Sequence, residues 1–402
     1  MYTISNLDRS FMQMTDPPPV TGFFLDFSGS PPSQEELEKR VLERVGGIPA
    51  LNCAPPASRD RAWTPAGTSP GREAHLHLSS PNGPETLEEI CETVLARPLP
   101  PAPHPPWDLH LLTQPSTPDR FRIALRIHHG HQDGVGIAHS ALALLSDTPG
   151  DGPSAHPAQR PRASAALAAF LSVAAPSLNA GRAQPALRSA LLGTIGPHWS
   201  YRDIPLNRLR SLADTHRSTV NDVCLAALAL ALRPLLPPKV PAPPSLLMAL
   251  STRQPHEGRA PGNHVGAVRL VLPTSATTLP AALAAVHHQT TAMRRDRVRD
   301  INRVVLSLPW PFRPGPRLLR TLLGSRPYPL AASSVTIPDS FTCFGAPLQG
   351  ASMFLTTNPR RPVYLSFTRT VDTVRCTVIT DASRRNATLL PRRWEQALHE
   401  EL

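Results

Sequence analysis

Apolar and polar positions alternate along Phe121–Ile127: Phe121, Ile123, Leu125 and Ile127 share one parity, and Arg122, Ala124 and Arg126 the other. A period of two predicts a half-buried β-strand. The same pattern predicts short strands at Phe23–Phe27 and His75–Leu78, and a strand from Trp107 that forms a hairpin with Phe121–Ile127 across Gln114–Asp119. Later in the chain, Val363–Phe367 and Val374–Thr380 read as a second hairpin with its turn at Val371–Thr373. Helical spacing places Leu37, Val41 and Val45 on one face of a helix over Glu35–Val45. Thr86 followed by Glu89 is a capping box that opens a helix over Thr86–Leu95. Further helices are expected at Ile137–Leu145, Leu206–His216, Ser218–Leu232 and Leu279–Met293, the third of these ending before Pro234.

The region Ser146–Ser164 is rich in Pro, Gly and Ser and reads as a linker or crossover, and Ala165–Leu192 is weakly helical with Pro176 and Pro185 as breaks. The expected organisation is therefore a first lobe over 1–148, a Pro-rich connection over 149–190 and a second lobe over 191–402. With 402 residues, 41% of them hydrophobic, the chain is long enough for two such lobes. Pro accounts for 49 of the 402 residues, more than twice the usual share of about 5%, and most of that excess falls between apolar segments. The net charge of +11 favours anionic partners, and no Arg/Lys cluster is interleaved with aromatics, so nucleic acid is not expected. Five cysteines without metal-ligand spacing predict buried thiols in a reducing, cytoplasmic setting. No signal peptide opens the chain, and no apolar run reaches the roughly 18 residues of a membrane span.

The strand at Phe121–Ile127 ends in His128-His129-Gly130-His131-Gln132-Asp133-Gly134. By parity His129 continues the inward row and His128 falls on the Arg row. A neutral imidazole at the mouth of a buried strand, four residues before an Asp in a Gly-flanked turn, suits general-base chemistry. The competing reading is a metal site at His128, His129 and His131, but three histidines within four residues of a strand end do not all face one ion, so no metal is expected. Asp133 is read as holding the loop and Gly134 as permitting its tight turn. Elsewhere, Thr219 and Asp222 read as a helix cap, and His287 and His288 diverge by about 100° on a helix and do not share a site. Arg294, Arg295, Arg297 and Arg299 read as a solvated helix end rather than a phosphate-binding site, and Arg253 is assigned no role.

These seven residues match the HHxxxDG motif of condensation-domain and chloramphenicol-acetyltransferase-like acyltransferases. Several further segments, in chain order, resemble the bacterial wax ester synthase/diacylglycerol acyltransferase family. They are Asn6-Leu7-Asp8…Phe11, Pro106-Trp107…Leu111-Leu112, Thr219-Val220-Asn221-Asp222-Val223 before an Ala-rich helix, Gly262-Asn263-His264-Val265, and Ser333-Ser334-Val335 before Pro338. The departures are His131 and Gln132 between the motif's fixed positions, where they would narrow or polarise the channel, Gly266 for a common Ser, and Ser334 for a common Asn.

The resemblance implies an α/β, two-lobed chloramphenicol-acetyltransferase-like fold with an active-site tunnel between the lobes. It implies an O-acyltransferase that moves an acyl group from acyl-CoA, as co-substrate, to an alcohol acceptor, with no cofactor and no covalent acyl-enzyme. His129 is the implied base and Asp133 its catalytic companion, supported by His128, Gly134, Asn221 and Asp222. Asn221 and Asp222 either line the channel from the second lobe or simply cap their helix. The alternative is a stand-alone condensation-like enzyme that forms an ester or amide on a specialised metabolite from a carrier-protein thioester. A catalytically silent binding or scaffold protein is the third reading, and the intact His129 and Asp133 argue against it. For a lipid acceptor, the net charge and the apolar run Ala165–Ala175, flanked by Arg160, Arg162 and Arg182, suggest peripheral membrane contact.

Overall fold

The computed structural model describes residues 2–14, 17–54, 60–67, 70–79, 86–148, 150, 184–195, 198–237, 243–307, 328–338, 341–357 and 362–399. In chain order the strands are β1 (Val20–Ser28), β2 (Leu76–Ser79), β3 (Trp107–Thr113), β4 (Arg120–His128), β5 (Trp199–Pro205), β6 (Ser245–Ser251), β7 (Val265–Val271), β8 (Ala331–Thr336), β9 (Thr342–Cys343), β10 (Ala346–Leu355), β11 (Val363–Arg369) and β12 (Thr373–Thr380). The helices are α1 (Asn6–Met12), α2 (Gln34–Val45), α3 (Arg72–His75), α4 (Leu87–Ala96), α5 (Gly134–Leu145), α6 (Pro185–Leu191), α7 (Leu206–Thr215), α8 (Val220–Leu232), α9 (Leu279–Arg295), α10 (Val298–Ser307) and α11 (Leu390–His399).

Two six-stranded sheets form two lobes. The first has the order β2-β3-β4-β1-β10-β9 and the second β5-β12-β11-β8-β6-β7. In the first, β1 lies antiparallel between β4 and β10. Gly22 permits that pairing, because a Cβ there would stand 1.9 Å from the Leu125 carbonyl oxygen. The predicted alternation fills one side of this sheet: Phe23, Leu25, Phe27, Phe121, Ile123, Leu125 and Ile127 join α2 and α5 in one core. The predicted Thr86/Glu89 capping box opens α4, and a second reciprocal box, Ser33/Glu36, opens α2.

Three expectations need correction. The strand β4 is buried on both faces rather than half-buried, since Arg122 and Arg126 are 3% and 0% exposed. They tolerate this because each meets a carboxylate, Asp26 for Arg122 and Asp108 for Arg126. The second lobe is not a continuous 191–402: β9 and β10 return to the first sheet, where β10 covers the edge that β1 would otherwise leave unpaired. Pro185 opens α6 as its first residue instead of breaking a helix, as expected for a ring that needs no N–H donor there.

The returning strand ties the lobes together. Met353 on β10 exchanges hydrogen bonds with Ser366 and Thr368 on β11. Phe24 and Phe354 of the first sheet pack with Trp199 and Ile379 of the second. A charge network adds to this: Asp26 accepts from Arg122 and from Arg375 on β12, and Arg375 is held on its other side by Asp203, 2.7 Å from each carboxylate oxygen. Behind the second sheet, α8 packs against α7, α9 and α11.

No single described helix is long and apolar enough to cross a membrane; the pair Leu206–Thr215 and Val220–Leu235 reaches the required length only across a 94° bend, and Val223–Ala229 are buried in the lobe core. The apolar run Ala165–Ala175 and Arg160, Arg162 and Arg182 lie outside the described residues.

Candidate active site

The HHxxxDG loop leaves β4 at His128 and turns into α5 through a set of bonds that involve both lobes. His129 is 8% exposed. Its backbone N–H donates to the Pro19 carbonyl (2.8 Å), and its carbonyl accepts from the Asn263 side-chain amide (2.7 Å). Its ring stacks on Phe11 of α1, with centroids 3.9 Å apart and 16° between the planes. The Asn6…Phe11 and Gly262-Asn263 segments, far apart in sequence, therefore converge on this histidine. Asp8 joins them by accepting from the backbone and side-chain nitrogens of Asn263, at 2.7 and 2.9 Å. Burial raises the Asp8 carboxyl to about 6, although Asn263 and Ser5 both hydrogen-bond its charged form.

Asp133 makes two connections. It caps α5, accepting from the Gly136 N–H at 3.0 Å. It also pairs with Arg253, which follows β6 in the other lobe: Nε lies 3.0 Å from both carboxylate oxygens and one terminal nitrogen 2.9 Å from Oδ2. The His264 N–H adds a third donor at 2.8 Å. Burial alone would raise this carboxyl; the Arg253 charge and the hydrogen bonds outweigh it and bring the pKa to about 2. Arg253 is itself 0% exposed. Its remaining donors go to the carbonyls of Glu257, Gly258, Ala260 and Gly262. Gly262 takes a φ of +90°, which a side chain would strain, and so presents its carbonyl to Arg253 and its N–H to the His131 carbonyl.

The other motif residues have structural partners. His128 accepts the Gly130 N–H on Nδ1 at 3.0 Å, and burial lowers its pKa to about 4. His131 and Gln132, between the fixed positions, are both buried. His131 stands edge-on to Trp63 at 4.7 Å, with burial holding its imidazole well below the usual range, and Gln132 accepts from the Ser140 hydroxyl.

One alternative is decided here and one reading changes. Of the two roles open to Asp222, the structure shows the helix cap. Asp222 completes the capping box with Thr219 and accepts from His287 (3.0 Å) and the Thr290 hydroxyl (2.7 Å), on the side of the second lobe where α8 meets α9. Arg299 is not a solvated helix end. It donates to the carbonyls of Ser251 and Arg253 and so braces the segment that carries Arg253. Of the residues that sequence reading gave no role, Phe11, Asp8 and Asn263 lie in segments whose resemblance it had noted and Arg253 lies in none of them; the missing information was which of them meet in space.

Gly134, which ends the motif, and Gly136, two residues on, differ in what surrounds them. A Cβ on Gly136 would stand 2.3 Å from an Arg253 terminal nitrogen and 2.6 Å from the guanidinium carbon. On Gly134 it would meet the end of the flexible Met353 side chain at 2.1 Å. Gly136→Ala should therefore displace Arg253 from Asp133 and destabilise by about 1–3 kcal/mol, whereas Met353 can move aside for Gly134→Ala. Urea unfolding of the two variants is the check, and a Gly134 variant as unstable as the Gly136 one would contradict this account.

Residues 73–192 match the family profile described as the wax ester synthase/diacylglycerol acyltransferase catalytic domain. No curated protein matches the chain by sequence. Among solved structures, a wax ester synthase/diacylglycerol acyltransferase from Marinobacter aquaeolei VT8 is similar over 99% of this chain and 98% of its own, with a TM-score of 0.63 and 20% identity. The first condensation domain of the calcium-dependent antibiotic synthetase, in complex with a substrate analogue, aligns over 99% and 96% with a TM-score of 0.65 and 17% identity. A mutant starter condensation domain of rhizomide synthetase in complex with C8-CoA aligns over 99% and 94% at a TM-score of 0.61 and 14% identity. The chain thus shares the two-lobed fold of these solved structures over nearly its whole length, and the segment that carries the histidine motif matches the wax ester synthase/diacylglycerol acyltransferase catalytic-domain profile.

Proposed function

We propose that the protein transfers an acyl group from acyl-CoA to an alcohol acceptor, with His129 as the general base. The observation that carries this reading is the position of His129: its carbonyl is tied to the Asn263 side chain, and its ring is stacked on Phe11 of α1. Such a ring is oriented before substrate arrives, which is what proximity catalysis requires. The acceptor hydroxyl gives its proton to the imidazole as the oxygen attacks the thioester carbonyl. The tetrahedral adduct then expels the CoA sulfur, which takes the proton back. No acyl-enzyme is needed, because the thioester is already activated. Asp133 and Arg253 hold the loop and take no part in proton transfer. The relative solved with C8-CoA supports a CoA thioester as donor.

Purified protein should release CoA thiol from a panel of acyl-CoA donors only when an alcohol is present, with the ester identified by mass spectrometry. Failure of every CoA donor together with consumption of a carrier-protein thioester would transfer the reading to a condensation-like enzyme acting on a specialised metabolite.

A further inference from the structure

The face of the first sheet turned away from the hydrophobic core carries a second chemical cluster. On β2 and β3, which run parallel, His77 pairs with His110, and Asp108 lies two residues before His110 on the same face. The imidazole rings of His77 and His110 are 4.7 Å apart, and one ligand atom from each of His77, Asp108 and His110 can be chosen with all three within 4.8 Å of one another. His110 is 0% and Asp108 1% exposed, while His77 is half-buried on the edge strand. A cavity of about 730 Å³, lined among others by His77, His104 and Asp108, lies against the cluster and gives an ion a route in.

One detail separates this cluster from an ordinary buried hydrogen-bond network. His110 Nε2 stands 3.3 Å from Asp108 Oδ1, yet neither His110 ring nitrogen makes an aligned hydrogen bond among the described residues. A buried imidazole with both nitrogens unsatisfied is costly. A separation of that size without N–H···O alignment is what two donors on one tetrahedral ion have, since bonds of about 2.0–2.1 Å put neighbouring ligands roughly 3.4 Å apart. Only His77 must move closer, and its place on the short edge strand allows that. Asp108 is held by Arg126 at both carboxylate oxygens, Nε donating to Oδ1 at 2.8 Å and a terminal nitrogen to Oδ2, so an ion would share an oxygen with a second-shell partner, as ligating carboxylates do. Arg126, bonded in turn to the Val94 and Arg97 carbonyls, brings a positive charge that lowers the site's affinity for a cation.

We propose that His77, His110 and Asp108 form a binding site for a divalent transition-metal ion of the zinc class, separate from the acyl-transfer site. A two-histidine, one-carboxylate set selects such an ion over calcium or magnesium. Bound there, the ion clamps the edge strand β2 to β3, which in turn pairs with β4, the strand that leads into His129.

The test is metal binding by the full-length protein, stripped with chelator and titrated with Zn²⁺ against a chromophoric competitor. Co²⁺ serves as the spectroscopic probe. Wild type should take up one equivalent, gain an intense visible Co²⁺ band of tetrahedral type, and melt at a higher temperature with Zn²⁺ present. His77→Ala, with folding checked by circular dichroism, should weaken binding by more than the roughly 10–100-fold that loss of a second-shell partner costs. His77→Gln should do the same, should the alanine variant fold poorly. No uptake by the wild type, or uptake undiminished in a folded His77 variant, overturns the proposal.

Discussion

His129→Ala is expected to lower acyl transfer by about 10²–10⁴-fold, the range typical for loss of a general base, while the protein stays folded. Folding should survive because the connections that hold this residue are made by its backbone, to Pro19 and to Asn263, and do not need the ring. The loss should appear in kcat with little change in KM for acyl-CoA, since a base acts in the transition state and not in donor binding. His128→Ala should cost less. Its ring accepts one loop hydrogen bond from Gly130, and burial keeps it neutral down to about pH 4, so it has no proton to exchange near neutrality. Steady-state kinetics and circular dichroism on both variants decide the matter. A His129→Ala enzyme working at the wild-type rate would remove this residue from the mechanism.

The elements of this fold are legible in the sequence wherever one local rule decides them. The period of two over Phe121–Ile127 and the capping boxes at Thr86 and Thr219 each produce the element they predict. What the pattern misses is determined by partners distant in sequence. The Arg row of β4 reads as a solvent face because nothing local indicates that Asp26 and Asp108 will cover it. The return of β10 to the first sheet depends on a register of seven residue pairs with β1, more than 300 positions away. The site follows the same division. HHxxxDG is contiguous and stands out, whereas Arg253, Asn263 and Phe11 reach it only through the topology. Asp222 is the reverse case: its chemistry reads equally well as a cap or as a channel residue, and its bonds to Thr219, His287 and Thr290 give it the cap.

Asp133→Asn should destabilise the protein by about 3–5 kcal/mol, the usual penalty for breaking a buried ion pair by removing one charge, because Arg253 would be left buried without its counter-ion. The melting temperature should fall, and activity with it, as the loop that orients His129 loses its tie to the second lobe. Arg253→Gln should cost a similar amount, and the double variant clearly less than the sum, since one lost interaction would otherwise be counted twice. Acid titration gives an independent reading. The carboxyl is depressed to about 2 in the folded protein, against about 3.9 when unfolded. Its contribution is therefore fully present above about pH 4 and is lost as the pH falls from there towards 2. Between those values, stability of the wild type should decline more steeply with acid than that of Asp133→Asn, which has no proton to take up. Denaturant midpoints measured at several pH values across the window give both slopes. Parallel slopes would mean that the charge on Asp133 does not hold the loop, and that the motif aspartate serves as a neutral helix cap alone.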